Sequence, residues 1–172
     1  HGWSSFEDLF GALNLAADYV VLRGAKYIQN TKQILAEDID ILCADVAEFT
    51  SVANAVKFRN SNHLFIVNVC GSDVLFDVRH VGDEYYDKRW QKNILQNKIL
   101  NDISVYVPRY DDQFFSLLYH AYIQKPIYRG SFRVVAANKA KNTSKLLGNP
   151  LLTGLQMNLD NNTQEFILNS PY

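Results

Sequence analysis

Three aspartates and a glycine are the residues of this chain whose types and spacing could do chemistry. Gly24 ends the apolar run Tyr19-Val20-Val21-Leu22-Arg23, and after thirteen intervening residues comes Asp38-Ile39-Asp40, leading into Ile41-Leu42. A third acid, Asp77, stands inside another apolar run, Val74-Leu75-Phe76-Asp77-Val78. Strand side chains alternate between faces, so Asp38 and Asp40 point one way while Ile39 and Ile41 point into the core. A strand carrying Asp77 alongside would bring three carboxylates to one spot. At about 4 Å and an effective dielectric near 20, each pair of unit charges costs roughly 4 kcal/mol. Such a cluster stays ionised only with a cation present, and an all-oxygen ligand set suits Mg²⁺ or Mn²⁺. Two such ions about 3.5–4 Å apart clamp the attacking and leaving oxygens of an in-line phosphoryl displacement.

The neighbours of Asp77 extend this reading. An acid among Leu75, Phe76 and Val78 is costly to bury unpaired, so it needs a partner: a metal or Arg79. Arg79 follows at the second position and shares its face, where it would neutralise a phosphate or pair with an aspartate. His80 falls on the opposite face and reads as structural. His120 lies two positions after the core residue Leu118 and reads as a packing or surface histidine, with a place in a substrate pocket as the alternative. Tyr85, Tyr86 and Trp90 would stack a base or sugar, or anchor a loop. His63 begins a strand and suggests nothing particular.

These residues need elements to hold them. Ser4 with Glu7, or Ser5 with Asp8, makes a capping box ahead of a helix whose core face is Phe6, Leu9, Phe10 and Leu13. Strands are predicted at 19–23 and 38–43, around an ambiguous polar stretch at 25–36. A helix at 45–58 would bury Val46, Phe49, Val52, Ala53 and Val56. Strands 63–69 and 74–81, joined by Gly71-Ser72-Asp73, form an antiparallel hairpin. A helix at 86–100 carries Trp90, Ile94 and Ile99, and Val105-Tyr106-Val107-Pro108 is a short strand. Asp111 and Asp112 cap a helix at 113–124, with Phe114, Leu117, Leu118, Ala121 and Tyr122 on its core face, and Pro126 stops it. A further helix is predicted at 131–147, and Asn161-Asn162 would turn a hairpin of 154–159 with 164–169. The order reads as α+β: a small mixed β-sheet with helices packed on one face, then a helical C-terminal part.

The 172 residues are 48% hydrophobic and 13% aromatic, enough for a single domain with a sizeable core. No apolar run reaches the length of a membrane span, and the opening residues lack the basic-then-apolar pattern of a signal peptide. Cys43 and Cys70, both in strand-like runs, read as buried free thiols, which suits a cytoplasmic setting. The formal net charge of -1 hides an asymmetry. Residues 113–159 hold no acid but carry Lys125, Arg129, Arg133, Lys139, Lys141 and Lys145. That basic stretch would grip phosphates or form a solvated helix face. The sequons at Asn142 and Asn161 read as chance matches.

Gly24-Ala25, then Asp38-Ile39-Asp40-Ile41, then Asp77 within Leu75-Phe76-Asp77-Val78, resembles the nucleotidyltransferase superfamily of the DNA polymerase beta-type fold. The stretch from Tyr19 to Lys125 is similar to bacterial and viral members, some associated with surface-polysaccharide assembly. Val21-Leu22-Arg23, Asp38-Ile39-Asp40-Ile41-Leu42, Asp77-Val78-Arg79 with Val81-Gly82-Asp83, and Phe115-Ser116-Leu117-Leu118-Tyr119-His120-Ala121 carry the likeness. The resemblance implies that Asp38, Asp40 and Asp77 ligate Mg²⁺ or Mn²⁺. Asp77 would also help deprotonate the acceptor hydroxyl. The turn at Gly24 and Ala25 would hold the donor's phosphates through backbone N–H groups. The family's serine after the glycine is Ala25 here, so that hydroxyl is missing, and Arg23 or Lys26 would compensate by charge. On this view residues 1–126 are a nucleotidyltransferase-like core, and 127–172 are a helical extension and tail packed on it.

The implied activity is transfer of a nucleotidyl or related phosphoryl group from a nucleotide donor to an acceptor hydroxyl or phosphate. A sugar phosphate or glycan is the favoured acceptor. The weakly acidic balance gives no strong nucleic-acid footprint, so a nucleic-acid partner stays open but is not indicated, and no membrane partner is expected. A P-loop, a Gly-x-Ser-x-Gly hydrolase elbow and paired Cys-x-x-Cys zinc motifs are all absent from the sequence. Two alternatives stand beside this one: a catalytically inactive binding module of the same fold, and a metal-dependent glycosyltransferase that holds a sugar-nucleotide with its Asp-x-Asp pair.

Overall fold

The structure, a computed structural model, describes residues 2–25, 28 and 38–119. The chain divides into two compact units, His1–Arg109 and Tyr110–Tyr172. The boundary expected at 126/127 lies outside the described residues.

Helix α1 (Phe6–Ala16) starts where the capping pattern places it. The Ser5 hydroxyl accepts from the Asp8 amide at 3.0 Å, Ser4 donates to the Asp8 carboxylate, and Glu7 and Asp8 put negative charge in the first turn. Phe6, Leu9, Phe10 and Leu13 are all buried, as their period-3.6 spacing predicts. Strands β1 (Tyr19–Arg23) and β2 (Ile39–Cys43) follow and pair antiparallel.

Helix α2 (Val46–Ala53) is shorter than the predicted 45–58. Asp45 caps its start by accepting from the amides of Ala47 and Glu48, and Asn54 ends it in the left-handed conformation at φ 52°. Phe49 and Ala53 are buried and Val46 and Val52 half-buried, but Val56 leaves the helix. It enters strand β3 (Val56–Lys57), where it is 68% exposed.

Strands β4 (Leu64–Val69) and β5 (Ser72–His80) form the predicted antiparallel hairpin, but the turn differs. Cys70 and Gly71 turn the chain with φ 54° and 75°, a two-residue turn with both centres left-handed, so Ser72 and Asp73 belong to β5. This corrects the reading of Cys70 as buried. It sits at the turn and is exposed, whereas Cys43 is buried; both are free thiols.

Helix α3 (Lys88–Gln96), capped by Asp87, also stops short of its predicted end at 100. Ile99 and Leu100 instead form strand β6 (Ile99–Leu100), which pairs with β7 (Tyr106–Val107). In the second unit, helix α4 (Tyr110–Tyr119) begins three residues before the predicted start. Asp111 and Asp112 therefore lie in its first turn, where the helix dipole favours acids, rather than at a cap. Phe114 is buried there. The helices and hairpin expected beyond residue 119 lie outside the described residues.

The main sheet is five-stranded and mixed, in the order β1-β2-β5-β4-β3. Only the β2–β5 pair is parallel. One face carries Tyr19, Val21, Ile39, Ile41, Phe65, Val67, Phe76 and Val78, which pack with α1 and Phe49 of α2 into the main core. The other row of β1 and β2, Val20, Leu22 and Leu42, is equally buried but stands outside that cluster. Helix α3 packs against these two strands and buries Trp90, Ile94 and Leu95. Helices thus cover both faces at the β1–β2 end, which corrects the expectation of helices on one face. The sequence signal was the apolar content of β1 and β2, which is continuous rather than alternating.

Candidate functional site

The site forms where β1, β2 and β5 lie side by side. The parallel register sets Asp40 beside Asp77 and Leu42 beside Arg79, so both acids and Arg79 share one face. One carboxylate oxygen from each of Asp38, Asp40 and Asp77 lies within 4.8 Å of the others. Ile39 and Ile41 point into the core from the opposite face. Asp38 is exposed at the head of β2, while the side chains of Asp40 and Asp77 keep only 11% and 13% of their exposure.

Arg23 reaches this face because β1 carries a bulge. Tyr19, Val20 and Val21 oppose Cys43, Leu42 and Ile41 in regular register, but Arg23, not Leu22, opposes Asp40. Strict alternation would have sent Arg23 to the core face with Tyr19 and Val21; the extra residue re-aims it. Arg23 then donates from Nε to Asp40 Oδ2 at 2.8 Å and from Nη2 to Oδ1 at 2.7 Å. Gly24 follows at φ +89°, a left-handed backbone suited to glycine. A Cβ there would stand 3.1 Å from the Asp38 carbonyl oxygen, so the turn passes tightly against the start of β2.

Arg79 pairs with Asp77 in the same two-point manner. Its Nη2 donates to Oδ2 at 3.0 Å, and its Nε lies 2.7 Å from Oδ1, too poorly directed to count as a hydrogen bond. Of the two roles expected for Arg79, the structure displays the ion pair with an aspartate. Three carboxylates face two guanidiniums, leaving one net negative charge. No ion pair to Asp38 forms among the described residues. Although Asp38 is exposed to solvent, partial desolvation by its neighbours, followed by the charge of Asp40, pushes its carboxyl above the ordinary value. Burial works against the Arg23 charge, but the Asp40 bonds outweigh it and hold the guanidinium protonated.

Tyr85 bridges the two arginines. Its hydroxyl accepts from Arg23 Nη2 at 2.6 Å, and its ring lies 4.5 Å beneath the Arg79 guanidinium. The rings of Tyr85 and Tyr86, and of Tyr86 and Trp90, pack in tilted pairs with centroids 4.8 and 4.7 Å apart, so these aromatics anchor one another. The loop that carries Tyr85 is pinned by Asp83, whose carboxylate accepts from the amides of His80 and Tyr85 and from the Gln91 carboxamide. Gln91, fully buried, also accepts from the Gly82 amide at 2.7 Å. Sequence reasoning gave neither the Tyr85 bridge nor Gln91 a role. A polar residue amid the apolar positions of α3 was the one available signal.

Ala25 is half-buried after the turn; Lys26 and His120 lie outside the described residues. His80 is exposed at the end of β5. No helix among the described residues is long and apolar enough to cross a membrane.

The oxygen donors suit a hard divalent cation, and Asp77 Oδ1, buried without a hydrogen bond, is an acceptor with capacity to spare. The guanidiniums already on Asp40 and Asp77 mean that such a cation would share or replace existing partners. Comparison of the chain with protein-family models, with curated proteins and with solved structures found no match.

Proposed function

We propose that this domain is a divalent-metal-dependent nucleotidyltransferase. It would move a nucleotidyl or related phosphoryl group from a nucleotide donor to an acceptor hydroxyl or phosphate, with a sugar phosphate or glycan as the acceptor class. The observation that carries the reading is the convergence of Asp38, Asp40 and Asp77 within 4.8 Å, next to the glycine turn at Gly24. Asp38, Asp40 and Asp77 would hold Mg²⁺ or Mn²⁺. When bound, the metal supplies Lewis-acid stabilisation of the attacking and leaving oxygens. The Asp77 carboxylate would be the group to take the acceptor's proton. Backbone amides after Gly24 would receive the donor's phosphates, and Arg23 and Arg79 supply the positive charge that the alanine at position 25 does not.

Incubation with each nucleoside triphosphate and Mn²⁺ tests this reading. Pyrophosphate release should appear with the native chain and fall at least a hundredfold in the Asp38→Asn, Asp40→Asn double variant. Equal release from both proteins would eliminate the mechanism.

A second reading has its own support. Two-point guanidinium pairs on Asp40 and Asp77, together with Ala25, are what a binding module that has lost catalysis would keep, with the acids serving as ion-pair partners. Such a module would bind Mn²⁺ weakly or not at all and release no pyrophosphate from any nucleotide.

A further inference from the structure

We infer that Arg23 and Arg79 are built-in counter-cations that a divalent ion must displace from Asp40 and Asp77, and that displacement frees both guanidiniums for the donor's phosphates. The inference rests on the nucleotidyltransferase reading and concerns the regulation of that site.

The geometry supports competition rather than coexistence. Arg23 engages both oxygens of Asp40 at 2.7 and 2.8 Å, and Arg79 lies 2.7 and 3.0 Å from the two oxygens of Asp77. A doubly charged ion on the same oxygens would stand within a few ångströms of each guanidinium, where like charges repel strongly in a partly buried site. The paired state also leaves polar groups wanting. Arg23 Nη1 is buried with no hydrogen-bond acceptor, and Arg79 Nε finds no well-directed one. A buried donor without a partner is rare, and a phosphate oxygen would satisfy it. Tyr85 touches both arginines and sits on the loop pinned by Asp83 and Gln91, so the released guanidiniums keep a fixed post beside the site. Metal and polyphosphate would each favour the released state, and by linkage each would strengthen the other's binding. Metal alone would bind weakly.

The test measures binding of Mn²⁺ alone to the full chain, by the electron paramagnetic resonance signal of the free ion. Arg79→Gln and Arg23→Gln should each tighten Mn²⁺ binding at least tenfold over the native chain, and Asp40→Asn should abolish it. Arg79→Lys, which keeps the charge but not the two-point fork, should fall between. Circular dichroism checks that each variant folds, and the Arg79 pair of variants carries the test if Arg23→Gln does not. Asp40-dependent binding that is unchanged or weaker in Arg79→Gln would overturn the inference and leave the metal site standing. Absence of Mn²⁺ binding in the native chain and in every arginine variant would overturn both.

Discussion

Cys43 and Cys70 carry the same thiol into opposite surroundings. Cys43 ends β2 in the main core, its Sγ donating to the Arg79 carbonyl, while Cys70 sits exposed in the hairpin turn. Burial, helped by nearby acids, pushes the Cys43 thiol up to about 12. A thiol reagent at pH 8 should therefore label Cys70 and leave Cys43 intact until the chain unfolds; mass spectrometry of the labelled protein reads the site. The same shift makes stability depend on pH. The unfolded thiol ionises at about 8.5, the folded one only at about 12. The unfolded state thus loses its proton first, and stability falls as pH rises between those values. Urea unfolding at pH 8 and pH 10.5 should show a larger loss for the native chain than for Cys43→Ala. Equal losses would mean that the thiol is not shielded. At this scale the sequence picked out the three acids that come together, but an apolar neighbourhood did not distinguish a strand end from a turn.

The elements were legible in proportion to how local their causes are. The α1 cap and apolar stripe lie within a dozen residues, and the structure repeats them; β1 and the β4–β5 hairpin follow from short apolar runs and a glycine. The lengths of α2 and α3 did not follow. Each ends where the backbone is claimed by a pairing with the next strand along the chain, β3 with β4 and β6 with β7, which the helix's own residues do not announce. The loop after β5 shows the same dependence, since one buried side chain of α3 holds it. Gln91→Leu would leave the Gly82 amide without its acceptor and take from Asp83 one of its three donors. It should cost about 1–3 kcal/mol of stability. Hydrogen exchange at the Gly82 amide should accelerate in the variant, and unchanged exchange would show that Gln91 does not anchor the loop.

Among the described residues, the main core draws on those between Trp3 and Val107, within the first unit. A fragment ending at Arg109 should therefore unfold cooperatively on heating and keep a native-like near-ultraviolet spectrum. A broad transition without tertiary signal would show that the first unit cannot stand alone. The sequence by itself determined the mixed α and β character, the face assignment of Asp38 and Asp40, and the candidacy of Asp77, because alternation and capping are set by near neighbours. Tertiary structure decided the rest. The parallel β2–β5 register set Asp40 beside Asp77, and the bulge in β1 turned Arg23 out of the core and onto Asp40. Tyr85 then crossed from its loop to meet both arginines. These contacts join residues far apart along the chain, where pairing geometry rather than local spacing sets who meets whom.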